Sequence, residues 1–155
     1  MIYPYQATDA TDRRVAWLVN YAWTFLGRPY LWGGDDPSGV DCSGLVCECL
    51  QGVGILKNKE DLTADGLFRR FIDRSHNRKP GSLVFWVRNS GGDFGRAYHV
   101  GIILDADIVI HSGGGGKVVK TADDAWKYNA FVKQRTFDFS RPNVATRDPF
   151  NRGTI

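Results

Sequence analysis

The segment Asp41-Cys42-Ser43-Gly44-Leu45 constrains this chain most, because there an irregular loop must turn into a helix. Upstream, Tyr30-Leu31-Trp32 is a short aromatic, strand-like fragment, after which Gly33, Gly34, Pro37 and Gly39 exclude regular structure. Downstream, Leu45, Val46, Cys49 and Leu50 recur with helical spacing, and Gly52 marks a stop. Cys42 therefore stands in the first turn of a helix. The unpaired N–H groups and the positive end of the dipole there stabilise an anion. Thiols in such places have pKa values lowered to roughly 3.5–7.5. The position predicts a nucleophile, against the plainer alternative of a small buried apolar side chain.

A length of 155 residues suits one domain with a core that needs no staples. The expectation is a single unit over 1–155, with its core at about 9–137 and a polar, loosely held tail over 141–155. Three cysteines are too few, and odd in number, for a disulfide scaffold. Cys42 and Cys49 would lie about 10 Å apart along a helix, beyond disulfide reach, so three free thiols are expected. None of the cysteines has the Cys-x-x-Cys spacing of a structural zinc site, so no metal and no cofactor are expected. The net charge of +3 comes without any run of Lys and Arg that would mark a nucleic-acid surface. No stretch is long and apolar enough to span a membrane. Met1-Ile2-Tyr3-Pro4-Tyr5-Gln6 lacks the basic cluster and apolar run of a signal peptide. Made in the cytoplasm and working outside it, such a protein would need delivery by other means.

Apolar side chains at Val15, Val19, Ala22, Trp23 and Leu26 predict a helix from Asp9 to Leu26, capped by Thr8 or Asp9 and ended by Gly27 and Pro29. Trp17 and Trp23 are assigned to the core or its edge. A shorter helix is predicted over Thr63–Ile72, with Leu67, Phe68, Phe71 and Ile72 inward. After Pro80-Gly81 the texture becomes β: Ser82–Arg88, His99–Leu104, Ile108–Ser112, Lys117–Thr121 and Phe131–Phe137, with a helical turn at Ala122–Tyr128. Helices first and strands afterwards predict an α+β domain with an antiparallel sheet. The run Gly113–Gly116 has no Lys-Ser/Thr and helix after it, and reads as a flexible loop, not a phosphate cradle.

Two of the three histidines flank one predicted hairpin. His99 opens its first strand and His111 ends its second. Pairing Ile103 with Asp107 across a three-residue loop sets His99 directly opposite His111 on one face. A two-residue loop shifts the register by one and separates them onto opposite faces. A nucleophilic cysteine needs a base and a third group that orients the base, and Cys42, His99 and His111 fill those roles. Taken singly, each histidine also reads as a strand-end ring in solvent. His76 has no such company and reads as loop surface.

In order, Tyr30-x-Trp32-Gly33-Gly34, Asp41-Cys42-Ser43-Gly44-Leu45, His99-Val100-Gly101-Ile102 and Ile110-His111 resemble the NlpC-type family of bacterial cell-wall cysteine peptidases, with a compact papain-like fold. The resemblance covers roughly residues 15–121. It implies hydrolysis of amide bonds in peptidoglycan stem peptides, commonly between γ-D-glutamyl and a diamino acid, without metal or cofactor. Cys42 would match the nucleophile, His99 the base and His111 the orienting residue. Tyr30 would match a cleft tyrosine that holds substrate or the oxyanion. Asp41 and Ser43 would match residues that bind the ammonium of a free stem N-terminus, although Asp41 also reads as a helix N-cap. The family's Gly-Asp-Leu is Gly81-Ser82-Leu83 here, and its Arg/Ser segment after the nucleophile's helix has no counterpart at Leu56–Thr63. The alternatives on this scaffold are an acyl transferase and a non-catalytic wall-binding domain. A phage tail or lysis enzyme, an injected effector and a piece of a secretion assembly would all suit such a chain.

Overall fold

A computed structural model describes residues 10–72, 78–88 and 95–151. The elements run α1 (Ala10–Thr24), β1 (Asp35–Asp36), β2 (Gly39–Val40), α2 (Cys42–Gly52), α3 (Ala64–Arg70), β3 (Leu83–Arg88), β4 (Arg96–Asp105), β5 (Ile108–Gly113), α4 (Ala122–Tyr128), β6 (Phe131–Thr136) and β7 (Val144–Arg147). β1 and β2 make a small hairpin, and the other strands form one sheet ordered β6-β5-β4-β3-β7, antiparallel throughout. This is the expected α+β, papain-like arrangement. No helix among the described residues is long and apolar enough to cross a membrane.

Strand alternation divides the apolar residues between two faces. Val100, Ile102 and Leu104 join Leu18, Val19 and Ala22 of α1 and Leu45, Val46 and Leu50 of α2 in the main core. Ile103 points the other way, with Val84, Val109 and Phe137, into a smaller cluster flanked by Trp86 and Val144.

Several expectations are corrected. Trp17 is 70% exposed, Leu26 45% and Ile72 60%, so none is core. α1 has ended before Leu26, and α3 ends at Arg70 with Phe71 as its C-cap, short of Ile72. Lys117–Thr121 is not a strand: the Val119 N–H turns back to Gly116 O, and Val119 O accepts from the Trp32 N–H. The tail is not loose there, because Val144–Arg147 pairs with β3 from Leu83↔Arg147 to Trp86↔Val144. Buried Arg147 lays its guanidinium 4.3 Å from the Phe68 ring centroid, which explains how so polar a strand is accommodated. β4 begins at Arg96, three residues before the predicted strand start at His99. His76 and the proposed caps Thr8 and Asp9 lie outside the described residues.

Candidate active site

Asp41 is the N-cap of α2. Its Oδ1 accepts from the Gly44 N–H at 2.7 Å and from the Ser43 hydroxyl at 3.2 Å, while Oδ2 accepts from the Gly33 N–H at 3.1 Å. One carboxylate thus caps the helix and ties the Trp32-Gly33-Gly34 loop across its first turn. Burial raises the Asp41 carboxyl above its ordinary range, and these donors act against that shift. The loop lies so close that a Cβ on Gly44 would collide with the Gly34 carbonyl oxygen. The glycine of Asp-Cys-Ser-Gly is required by this approach, not by helix propensity.

Cys42 follows the cap as the first residue of α2 and is partly exposed, whereas Cys47 and Cys49 are buried; all three are free thiols. The N–H groups of Val100, Ser43 and Cys42 itself lie near enough to its sulfur to favour the thiolate. The first of these belongs to the peptide that begins at His99. Burial above all, and then the charge of Asp41, push the thiol up to about 11. The acidic thiol expected from a helix N-terminus is therefore not found. Desolvation of the charged form outweighs the N–H groups that favour it.

The hairpin corrects the predicted register while keeping the predicted contact. Asp105 pairs with Ile108 across a two-residue turn, but Ile103 pairs with Val109 and Ile102 with Ile110. Leu104 is the extra residue of a bulge. A two-residue turn alone would separate the histidines by face, and the bulge restores the parity. Continuing the Ile102↔Ile110 register sets His111 across from Gly101 and His99 across from Gly113, so the two histidines are diagonal, not opposite. Their rings meet with His99 Nε2 2.9 Å from His111 Nδ1.

The pairing of β4 with β5 ends at Ile102–Ile110, although both strands continue. Beyond that point β2 and the start of α2 lie against the two strands. The Ser112 hydroxyl donates to Val40 O at 2.6 Å, and the Val100 N–H faces Cys42. The beginning of α2 thus sits against the ends of both histidine-bearing strands.

Trp86, cross-strand from His99, packs edge-on to it with ring centroids 4.6 Å apart and lies 5.8 Å from His111. Burial, then His111 and Arg135, hold His99 down at about 3; burial, then Arg135 and Lys133, hold His111 at about 4. The resting pair is neutral. Trp86, Lys133 and Arg135 escaped the sequence reading, and strand parity was the only signal that could have placed them beside the histidines.

Tyr30 is buried with Val119, Ala125 and Ala130. Burial raises its hydroxyl, as do the neighbouring Cys42 and Asp41 in their charged forms. A Cβ on Gly115 would fall within the Tyr30 ring, so part of the glycine run is a flat surface against which that ring packs. All six residues singled out in the sequence thus converge on the start of α2 and the ends of β4 and β5.

A cysteine at a helix start, facing the strand that carries one of two contacting histidines, is the arrangement of a papain-like domain. The chain belongs to the NlpC/P60 family, whose model matches residues 27–141. It is 34% identical over 112 residues to Protein P54 of Enterococcus faecium, covering 70% of this chain and 20% of that protein. It is 31% identical over 97 residues to a γ-D-glutamyl-L-lysine dipeptidyl-peptidase of Bacillus cereus, covering 61% and 27%. The chain spans between a fifth and about a third of the length of the curated relatives it matches. Among solved structures, the NlpC/p60 domain of the peptidoglycan hydrolase SagA superposes with a TM-score of 0.58 at 28% identity, covering 84% of this chain and 96% of that one. RipB of Mycobacterium tuberculosis, a peptidoglycan hydrolase, shares the fold with a TM-score of 0.64 at 19% identity, covering 90% and 66%.

Proposed function

We propose that this chain is a cell-wall hydrolase, a cysteine endopeptidase or amidase that cuts amide bonds of peptidoglycan stem peptides. The observation that carries the reading is the 2.9 Å contact of His99 Nε2 with His111 Nδ1 beside the peptide whose N–H faces Cys42. With Nε2 of His99 protonated and donating to His111, Nδ1 keeps its lone pair and serves as the base. His111 thereby fixes tautomer and ring orientation.

Thiol and imidazole are both neutral at rest, so proton transfer accompanies attack. The Cys42 proton passes to His99 as sulfur bonds to the carbonyl carbon, and the carbonyl oxygen gains the negative charge. The Cys42 N–H and the Tyr30 hydroxyl stabilise that oxyanion. His99 gives its proton to the departing nitrogen as the C–N bond breaks, leaving a thioester and a free amine. Water then adds to the thioester with His99 accepting its proton, and the proton returns to sulfur as the carboxylic acid leaves.

For the bond, the names of the dipeptidyl-peptidase relatives support γ-D-glutamyl to diamino acid. Asp41 and Ser43 are proposed to bind the substrate's ammonium, in addition to the one hydrogen bond between them. The cell wall is the proposed place of action. Mass spectrometry of purified muropeptides incubated with the protein tests this: new fragments that are absent with Cys42→Ala support it. Unchanged muropeptides with both proteins overturn it, and an amine adduct in place of a hydrolysed product points to acyl transfer.

A further inference from the structure

A concavity of about 420 Å³ opens on the far side of Trp86 from the histidines. Trp86 and Val144 are cross-strand neighbours in its wall, and Arg88, Tyr98, Arg141 and Asn143 complete its rim. The volume lies within the range of small-ligand sites.

Its chemistry is one-sided. Arg88 and Arg141 both line it, and among the described residues no carboxylate does. The Arg88 guanidinium lies 4.4 Å from the Tyr98 ring centroid, which holds it stacked without using its in-plane donors. Arg141 stands near Asp138, whose carboxylate already accepts from the Ser140 N–H and hydroxyl. Neither arginine forms an ion pair among the described residues. The rim is also fixed from below. Asn143 takes a left-handed backbone at φ 68°, and its carbonyl accepts from the Val87 N–H at 2.9 Å.

Position suggests which part of a substrate reaches it. The departing amine must lie beside His99, and Trp86 touches His99 on one side and this concavity on the other. An indole is roughly two to three extended residues wide in chain reach at about 3.3 Å per residue. We infer that the Arg88–Arg141 concavity is a subsite for a carboxylate carried by the leaving fragment of the peptide substrate. This rests on the hydrolase reading for the side on which the leaving fragment lies. Planar carboxylates suit guanidinium donors, and such a site would select uncapped peptide ends over amidated or extended ones.

The test separates binding from turnover. Cys42→Ala protein is titrated calorimetrically with a short stem peptide ending in a free carboxylate and with the same peptide as its primary amide. The expected result is affinity for the carboxylate about 10- to 100-fold tighter, a preference abolished in Cys42→Ala/Arg88→Gln/Arg141→Gln protein. Both arginines are exposed, and a melting curve checks that the variant stays folded. Equal affinity for the two peptides, no binding of either, or a preference that survives both substitutions overturns the subsite. Wild-type protein is then offered the bound peptide. A peptide that binds through its carboxylate but is never cut overturns the hydrolase reading and leaves the subsite standing.

Discussion

His99 and His111 meet across a diagonal of the sheet, 2.9 Å apart, because a single bulged residue offsets their strands. The contact is between side chains whose backbones are not partners. That makes orientation of the His99 ring depend on His111 itself and on Trp86 behind it.

Removing the orienting ring should therefore cost rate more than stability. His111→Ala is expected to lower kcat by about 10- to 1,000-fold on a muropeptide substrate with little change in KM. Stability should fall as for loss of a buried side chain, by about 1–3 kcal/mol. His111→Gln, which keeps a hydrogen-bonding group, should recover part of the rate. A rate loss that merely follows the melting temperature across both variants would remove the orienting role.

Acid should unfold the protein through the same pair. Histidine in the unfolded chain titrates near 6.5, whereas His99 and His111 are held at about 3 and about 4 in the fold. Between those limits the unfolded chain binds more protons, so stability rises with pH there. Their contribution is complete above about pH 6.5 and disappears as the pH falls toward 3. Urea midpoints from pH 7 to pH 4 should fall steeply for the wild type. The slope should be shallower for His99→Gln/His111→Gln protein, and parallel curves would contradict the assignment.

Alkylation of Cys42 should report a thiol, not a thiolate. With burial and Asp41 pushing it up to about 11, the iodoacetamide rate should climb continuously from pH 6 to pH 9 with no plateau. Cys42 should still label ahead of Cys47 and Cys49, because it alone is partly exposed. Asp41→Asn keeps a good cap and removes the raising charge, so it should shift the profile toward lower pH. A plateau near pH 6 in the wild type would restore the acidic thiolate.

Tyr30 can be tested with and without its ring. Tyr30→Phe keeps the packing against Gly115 and removes the hydroxyl, so the melting curve should stay near wild type while kcat falls about 10- to 100-fold. Gly115→Ala should instead lower both, by about 1–3 kcal/mol in stability. Unchanged kcat in Tyr30→Phe would take Tyr30 out of oxyanion stabilisation.

What was legible in the sequence follows from the range of each interaction. The α2 start could be read because its cap, its glycines and its apolar spacing lie within a dozen residues. The hairpin could be read as a contact but not as a register, since the Leu104 bulge is decided by how both strands pack on their neighbours. The thiol's acidity was misjudged because helix position is local and burial is not. β7 was missed because its polarity is offset only by distant partners, Phe68 beneath Arg147 among them. Lys117–Thr121 has a strand's composition, yet Val119 is turned inward by its bond from Trp32.

Two elements lie outside the family-matched segment 27–141, and both complete the domain. α1 brings Leu18, Val19 and Ala22 to the main core, and β7 closes the open side of β3. An expression clone trimmed to the matched segment would lose a core layer and bare a strand edge beside Val84 and Trp86, a template for association between molecules. The foldable unit of this chain is therefore wider than its recognisable one, and the proper cloning boundaries are set by the edges of the sheet and core.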